Sequence, residues 1–184
     1  PTAYIEFSKT PVLREVVPGQ SIFTGIVVKN KLGSSLSGLH VEVTGIPREW
    51  MTVSPAYLDL APYETGGFSI GVSIPYSVAF GDYTAIMTLK NQNVEDKSFF
   101  VLRVKSYTRE EDKPMTMRIV EIDRLAGKTN VELDIYNPSK PYDNAEVVEY
   151  VPKEIANSTD FIEFNTTPSK IIQKDPIISW EMLD

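Results

Sequence analysis

Few side chains in this sequence belong to the types that catalyse reactions or bind transition metals. Cysteine is absent, which excludes a thiol nucleophile, a thiolate metal site and a disulfide bond. The single histidine, His40, cannot build a multi-histidine zinc site, and it lies on the polar side of a predicted strand, where we expect it to face water. No Gly-x-Ser-x-Gly nucleophile elbow supports a serine hydrolase.

Paired carboxylates are another common catalytic device, because two of them can hydrolyse a glycosidic bond. The run Glu110-Glu111-Asp112 lies in a charged stretch without apolar alternation, where nothing would hold the carboxylates at a fixed separation. We therefore expect that this protein is not an enzyme.

Oxygen ligands for Ca²⁺ could come from Asp175 or Asp123 together with Asp143 and Asp160. Their spacing is not that of an EF-hand, and aspartate in loops more commonly forms turns. We expect no cofactor, and calcium is the alternative that the sequence leaves open.

Exposed aromatic rings could bind carbohydrate by stacking against sugar rings. One stretch is rich in aromatic residues: Trp50, Tyr57, Tyr63, Phe68, Tyr76, Phe80 and Tyr83. Core packing is the default expectation for them, and Tyr83 fits a tyrosine corner, in which the hydroxyl bonds nearby backbone. Tyr57, Tyr63 and Tyr76 are the exceptions that could be exposed, so they are the candidate carbohydrate contacts.

Two triplets have the pattern of N-glycosylation acceptors, Asn157-Ser-Thr159 and Asn165-Thr-Thr167. Both lie in polar, loop-like stretches that an oligosaccharide could reach. Asn157 and Asn165 are therefore candidate modification sites.

The net charge of −7 is confined to the C-terminal part of the chain. Residues 1–106 hold nine basic and nine acidic side chains, whereas residues 107–184 hold nine and sixteen. An acidic surface repels phosphate backbones and anionic lipid headgroups, so we expect no nucleic-acid partner. Nowhere do 18 apolar residues run together, and we expect no membrane insertion of this segment.

The elements that must position these residues are strands, because period-2 alternation dominates and helical periodicity is nearly absent. Leu39, Val41 and Val43 alternate with polar residues, and Phe68–Ile74 repeats the pattern. Asn91-Gln-Asn93 suits a hairpin loop. Turn residues such as Pro18-Gly19 and Gly81-Asp82 separate about seven short strands within residues 1–106, the first two at Tyr4–Phe7 and Val12–Val17. This spacing predicts an antiparallel β-sandwich.

A charged linker, residues 107–116, interrupts the alternation, and strands resume from Met117. The predicted later strands are Met117–Ile122, Asn130–Tyr136, Ala145–Val151, Asp160–Phe164, Lys170–Gln173 and Ile177–Trp180. Only Val151–Asn157 could hold a short helical turn. The fold class is therefore all-β, with two sandwiches in tandem and the second formed by residues 117–184.

An internal repeat supports the tandem arrangement. Ile26–Asn30 matches Leu133–Asn137, and Ile46-Pro-Arg-Glu-Trp50 matches Val151-Pro-Lys-Glu-Ile155, with further matches in the same order. The second copy is shorter after this point than the first. We expect its sandwich to be incomplete at the C-terminal side, with a sheet edge covered by another chain or by further residues.

An ordered set of short motifs runs through residues 1–106: Val17-Pro-Gly19, Val28-Lys-Asn30, Gly45-Ile-Pro-Arg-Glu-Trp50, Val53-Ser-Pro55, Leu58-Asp-Leu-Ala-Pro62 and Gly81-Asp-Tyr83. In this order they resemble NEW3 (alpha-galactosidase-associated) domains, immunoglobulin-like modules found beside bacterial and archaeal glycosidases and on cell surfaces. Two positions depart from that pattern. Arg48-Glu49 replaces a small residue before Trp50, and Tyr63 stands where glycine often follows Pro62.

The second half resembles repeats of archaeal S-layer-associated surface proteins, through Glu149–Ala156 and Lys174–Trp180. The two resemblances imply an extracellular or cell-envelope location and a non-catalytic structural, spacer or adhesive module. Its partners would be other envelope proteins, neighbouring domains of the same polypeptide, or polysaccharide. The alternatives are a carbohydrate-binding module that uses exposed tyrosines and an accessory domain of a larger hydrolase.

Overall fold

The computed structural model describes residues 4–106, 115–136 and 145–182. These residues form strands, turns and two short 3₁₀ segments, so the predicted all-β class is confirmed. They divide into two compact units: residues 4–106 and 115–136 form unit 1, and residues 145–182 form unit 2.

Unit 1 contains ten strands. They are β1 Ile5–Val16, β2 Ser21–Asn30, β3 Leu36–Thr44, β4 Met51–Ser54, β5 Leu58–Leu60, β6 Thr65–Ser73, β7 Gly81–Lys90, β8 Glu95–Val104, β9 Met115–Asp123 and β10 Lys128–Tyr136. A 3₁₀ segment at Arg48–Trp50 precedes β4. The hairpin predicted at Asn91-Gln92-Asn93 joins β7 to β8, where the Asn91 carboxamide oxygen accepts hydrogen bonds from two loop amides.

Strand β1 connects the two layers of a sandwich because its halves pair with different partners. Its first half runs antiparallel to β2, with Ile5 opposite Asn30. Its second half runs parallel to β8, with Leu13 opposite Val101. One layer therefore has the order β4-β6-β2-β1, and the other has the order β1-β8-β7-β3-β5. The two short stretches predicted at Tyr4–Phe7 and Val12–Val17 are thus one strand.

The core of unit 1 follows the alternation of the sequence. In β2, Ile22, Thr24, Ile26 and Val28 are buried, and the alternate positions between them are exposed or partly exposed. Residues from both layers share one apolar cluster. At one end, the rings of Trp50 and Tyr83 pack across the layers with centroids 5.3 Å apart. These features define an immunoglobulin-like β-sandwich.

A buried asparagine connects two loops at one end of this sandwich. The Asn30 carboxamide nitrogen donates to the carbonyl oxygens of Ser34 and Ala61 at 2.8 Å each, and its oxygen accepts from the Leu32 amide at 2.9 Å. Both the nitrogen and the oxygen of the Asn30 carboxamide therefore have hydrogen-bond partners in the backbone. These bonds explain how an uncharged polar side chain can be fully buried.

The hairpin β9–β10 adds to the same unit, because β9 runs antiparallel to β1 with Arg14 opposite Ile119. A carboxylate joins the strands: Glu15 is buried, accepts from the Arg118 amide at 2.9 Å, and lies 3.3 Å from the Lys105 ammonium. The structure thus groups residues 115–136 with the first sandwich, whereas the sequence-based boundary assigned residues from 117 onward to the second. Pairing between strands this distant in sequence leaves no signal in local alternation.

Unit 2 is a three-stranded antiparallel sheet in the order β11-β13-β12. Its strands are β11 Ala145–Tyr150, β12 Lys170–Gln173 and β13 Ile177–Met182. The strand predicted at Asp160–Phe164 is wrong: Thr159–Phe161 forms a 3₁₀ turn, capped by the Ser158 hydroxyl. A second sandwich is not confirmed, and among the described residues the outer edges of β11 and β12 have no strand partner.

The repeat is visible in local structure at one position. The amide of Trp50 donates to the carbonyl of Pro47, and the amide of Ile155 donates in the same way to the carbonyl of Pro152. Both matched segments therefore form a short turn after a strand. The second turn lies within Val151–Asn157, where a short helical turn is predicted.

Candidate functional site

The three tyrosines predicted as carbohydrate contacts are all exposed, but they do not form one platform. Tyr57, Tyr63 and Tyr76 are 69%, 65% and 87% exposed. Tyr63 precedes β6 and Tyr76 follows it, so a whole strand of nine residues separates them, roughly 30 Å of extended chain. Each ring therefore has its own surroundings, and each must be considered separately.

Tyr63 has a left-handed backbone, with φ of 61°. Glycine reaches this region without steric cost, whereas a residue with a Cβ does not. The Tyr63 hydroxyl lies over Gly33, where an added Cβ would be only 3.2 Å from the oxygen. Tyr63 therefore combines a turn conformation that favours glycine with an exposed ring.

Tyr76 lies against Gly19, where an added Cβ would overlap the ring. With Phe80, Val17 and Pro18 it lines an open apolar groove of about 430 Å³. Phe80 is 60% exposed, so the expectation that it packs in the core is wrong. Phe80 lies in the loop that connects β6 to β7 across the end of the sandwich. It is flanked by Val78 and Tyr83, which both pack on the core.

The other aromatic expectations are met. Phe68 is buried, and Trp50 is partly buried against the core. The Tyr83 hydroxyl donates to the carbonyl oxygen of Ala79 at 2.9 Å, which is the backbone bond expected of a tyrosine corner.

Tyr57 belongs to a cluster of polar side chains on the outer face of β3. Its ring meets the His40 ring edge-on, with centroids 5.8 Å apart and an interplanar angle of 67°. His40 Nε2 is 3.7 Å from a Glu42 carboxylate oxygen, and the other oxygen of Glu42 is 2.8 Å from the Lys90 ammonium. We call these four residues the Tyr57 cluster. The hydrogen bond from Lys90 lowers the pKa of Glu42, and the charge of His40 acts in the same direction.

A β-bulge in β3 fixes the position of this cluster. The pairing of β3 with β5 shifts between Leu36 and Leu39, and Gly38 there has a φ of 67°. The Gly38 amide donates to an Asp59 carboxylate oxygen at 2.8 Å, and the Asn91 carboxamide donates to the carbonyl of Ser37 at 3.0 Å. The carbonyl of Gly38 lies 3.3 Å from His40 Nδ1. Hydrogen bonds from two neighbouring elements therefore hold the bulge on both sides.

Both candidate glycosylation asparagines lie in unit 2, on the connection between β11 and β12. Asn157 and Asn165 are exposed, each at a bend of the chain. Thr159, the third residue of the first triplet, is buried, whereas Thr167 of the second is exposed.

The aspartates suggested for calcium are divided between the units. Asp123 in unit 1 accepts from the Ala126 amide in a turn. In unit 2, Asp175 and Asp160 lie 3.0 and 4.0 Å from the ammonium groups of Lys153 and Lys174. Asp143 and Glu110-Glu111-Asp112 lie outside the described residues. In the part of the chain that the structure describes, no three acidic or histidine side chains gather as metal ligands.

Sequence reasoning missed the Tyr57 cluster and the apolar groove. His40 is expected to face water, yet it is only partly exposed and contacts Tyr57, Glu42 and backbone. One signal was available: a glycine inside a strand pattern, here Gly38, often marks a bulge. Tyr57, which precedes β5, comes close to His40 because β5 pairs with β3. Lys90 comes close to Glu42 because β7 pairs with β3. Local alternation specifies neither pairing.

No family model matches this chain, and no curated protein sequence matches it. The described residues contain no helix long and apolar enough to cross a membrane.

Solved structures give distant matches only. A family 123 glycoside hydrolase from Clostridium perfringens is 9% identical with a TM-score of 0.49, over 56% of this chain and 28% of that one. The CupB2 chaperone of Pseudomonas aeruginosa is 10% identical with a TM-score of 0.42, over 59% and 64%. The periplasmic chaperone SfaE is 10% identical with a TM-score of 0.41, over 62% and 68%. The chain thus spans about a quarter of the hydrolase and about two thirds of each chaperone.

Proposed function

We propose that this chain is a non-catalytic spacer module of a secreted or cell-envelope protein. The observation that supports this proposal is the path of the chain through unit 1. It enters at Ile5, next to Asn30, and leaves after Tyr136, which pairs with Met115 at the opposite end of β9. The two points are separated by about the length of β1, on the order of 35–40 Å.

This path determines how a pulling force would act on the sheet. Tension applied between Ile5 and Tyr136 runs along the strands, so β1 must slide past β2, β8 and β9, and β10 must slide past β9. Sliding loads many inter-strand hydrogen bonds at once, whereas peeling from one end loads them one pair at a time. A module with this arrangement holds its neighbours apart under tension.

A single-molecule pulling experiment on the full chain tests the proposal. The chain has no cysteine, so a pair of introduced cysteines defines the attachment points. We expect Tyr4→Cys with Tyr136→Cys to give a high unfolding force, because this pair shears the sheet. Unfolding under force reports the height of the unfolding barrier in that direction.

The matched control keeps the attachment at Tyr4 and moves the second attachment point, so that the force peels β1 and β9 apart from one end. Leu125 lies in the β9–β10 turn, at the end of β9 that is close to the start of β1, and it is 50% exposed. Tyr4→Cys with Leu125→Cys should therefore open at a clearly lower force. Equal forces for the two attachment pairs would contradict the spacer proposal.

The proposed location follows from the resemblances to NEW3 domains and to S-layer-associated repeats, and from the accessibility of Asn157 and Asn165. Other envelope proteins or neighbouring domains are the proposed partners. Mass spectrometry of native material would test the location directly, since oligosaccharide on either asparagine requires passage through a glycosylating compartment. Unmodified peptides at both positions would remove this support.

A further inference from the structure

We propose that the Tyr57 cluster binds a neutral oligosaccharide on the outer face of β3. This inference goes beyond the spacer function and does not depend on it. A sugar ring has an apolar face formed by its C–H groups and a rim of hydroxyls that both donate and accept hydrogen bonds. A site for it needs an exposed aromatic ring beside a donor and an acceptor that are held in place.

Tyr57 supplies the aromatic surface. Its side chain is 69% exposed, and its ring makes an edge contact with the His40 ring at a centroid distance of 5.8 Å. Most of the ring surface is therefore accessible to a ligand that stacks on it.

Glu42, Lys90 and His40 supply the polar groups. The carboxylate and the ammonium lie 2.8 Å apart, so an acceptor and a donor with no net charge stand next to each other. His40 Nε2, 3.7 Å from the carboxylate, adds a third group on the same side of the strand. Because the charges of Glu42 and Lys90 balance, the site favours a hydroxylated neutral ligand over an anion or a cation.

The strands and the bulge keep these groups in place. His40 and Lys90 are opposite each other in the β3–β7 pairing, and Asp59 and Asn91 hold the bulge beside them. Side chains carried on paired strands are positioned more rigidly than side chains on loops. Bulges of this kind commonly redirect a side chain next to a functional site.

The other two tyrosines lack this environment. Tyr76 is surrounded by the apolar residues Val17, Pro18 and Phe80. Tyr63 lies over the glycine backbone at Gly33. Tyr76 is therefore a matched control, since it is at least as exposed as Tyr57.

The test is an amide NMR titration of the full chain with three neutral hexasaccharides, cellohexaose, mannohexaose and chitohexaose, at millimolar concentration. We expect at least one of them to shift the amide signals of His40, Glu42 and Lys90. Tyr57→Ala should weaken that binding about tenfold or more, and Tyr57→Phe should stay within about twofold, because it keeps the ring. Tyr76→Ala should leave the affinity unchanged.

The proposal is overturned if none of the three hexasaccharides shifts these signals, or if Tyr57→Ala binds as well as the unmodified chain. Equal weakening by Tyr76→Ala would also overturn it, because binding would then not be specific to the cluster. None of these results affects the pulling experiment, so failure here is distinguishable from failure of the spacer proposal.

Discussion

At the scale of single residues, Tyr63 is the clearest case of a side chain in an unfavourable backbone conformation. A φ of 61° is costly for any residue with a Cβ, by about 1 kcal/mol. The Tyr63 hydroxyl lies over Gly33, and most of the side chain is exposed.

Two substitutions separate the backbone from the ring at Tyr63. Both Tyr63→Ala and Tyr63→Gly remove the ring, but only glycine removes the cost of the left-handed region, about 1 kcal/mol. We expect Tyr63→Gly to have the higher free energy of unfolding in urea by about that amount. If the alanine variant were equally stable, the turn would not impose this conformation in solution.

The ion pair of Glu42 and Lys90 gives a residue-scale prediction about pH. Lys90 lowers the pKa of Glu42, so the pair stabilises the folded state at pH values above the ordinary carboxyl pKa. That contribution is lost as the pH falls through the lowered pKa. We expect Lys90→Met to raise the pKa of Glu42, measured by NMR titration of its carboxyl carbon.

An internal control comes with the same titration. Arg103 donates two hydrogen bonds to Asp82, at 2.7 and 2.9 Å, and these lower the pKa of that carboxyl. Because Lys90 takes no part in this pair, the pKa of Asp82 should not move in Lys90→Met. A shift of both carboxyls would indicate a general change of fold, and a shift of neither would contradict the Glu42–Lys90 pairing.

At the scale of elements, a buried carboxylate adds to the strand pairing that attaches β9 to β1. Glu15 accepts a backbone hydrogen bond from Arg118 in β9 and pairs with Lys105 after β8. Glu15→Gln keeps the size of the side chain but removes the charge that compensates Lys105. We expect a loss of about 2 kcal/mol in the free energy of unfolding, with faster hydrogen exchange at the amides of β9.

Glu121→Gln is the control for this element. Glu121 also lies in β9 and pairs with Lys9 at 3.3 Å, but both side chains are partly exposed. Such pairs contribute little, so its cost should stay below about 1 kcal/mol. If the two variants behaved alike, the buried carboxylate would have no special role in holding β9.

The strands themselves were largely predictable, because a sheet with one buried face leaves an alternating pattern. The predicted stretch Phe68–Ile74 lies within β6 except for its last residue, and Lys170–Gln173 is predicted and observed with the same bounds. β1 is predicted as two separate strands because consecutive residues near Ser8 are buried. The alternation of buried and exposed positions is therefore interrupted in the middle of the strand. Asp160–Phe164 was misassigned because a run of five residues with three apolar side chains also fits a turn.

The partners of strands were not predictable from the same pattern. Alternation shows which face of β9 is apolar, but not that the strand pairs with β1 more than a hundred residues earlier. The sequence predicts that Tyr57 could be exposed, but not that its ring contacts His40. Sites that depend on register across strands are therefore hidden from a single sequence, whereas a local motif such as the tyrosine corner at Tyr83 is not.

At the scale of the whole molecule, the two units differ in how much hydrophobic surface they bury. Unit 1 has a continuous core that includes residues from β1 to β8. In the described part of unit 2, Ile178 is buried, but Val148, Tyr150 and Ile171 remain substantially exposed. We therefore expect unit 2 to unfold at a lower urea concentration than unit 1.

The two tryptophans allow this to be measured, because each unit contains one. Trp180→Phe leaves Trp50 as the fluorescent reporter of unit 1, and Trp50→Phe leaves Trp180 for unit 2. The midpoint reported by Trp180 should be the lower of the two. Coincident midpoints with equal slopes would instead show a single cooperative transition.

The opposite positions of Ile5 and Tyr136 in unit 1 also have a consequence for gene fusion. A domain joined before Ile5 and a domain joined after Tyr136 would attach at points about one strand length apart, roughly 35 Å, so neither fusion needs a return segment along the outside of unit 1.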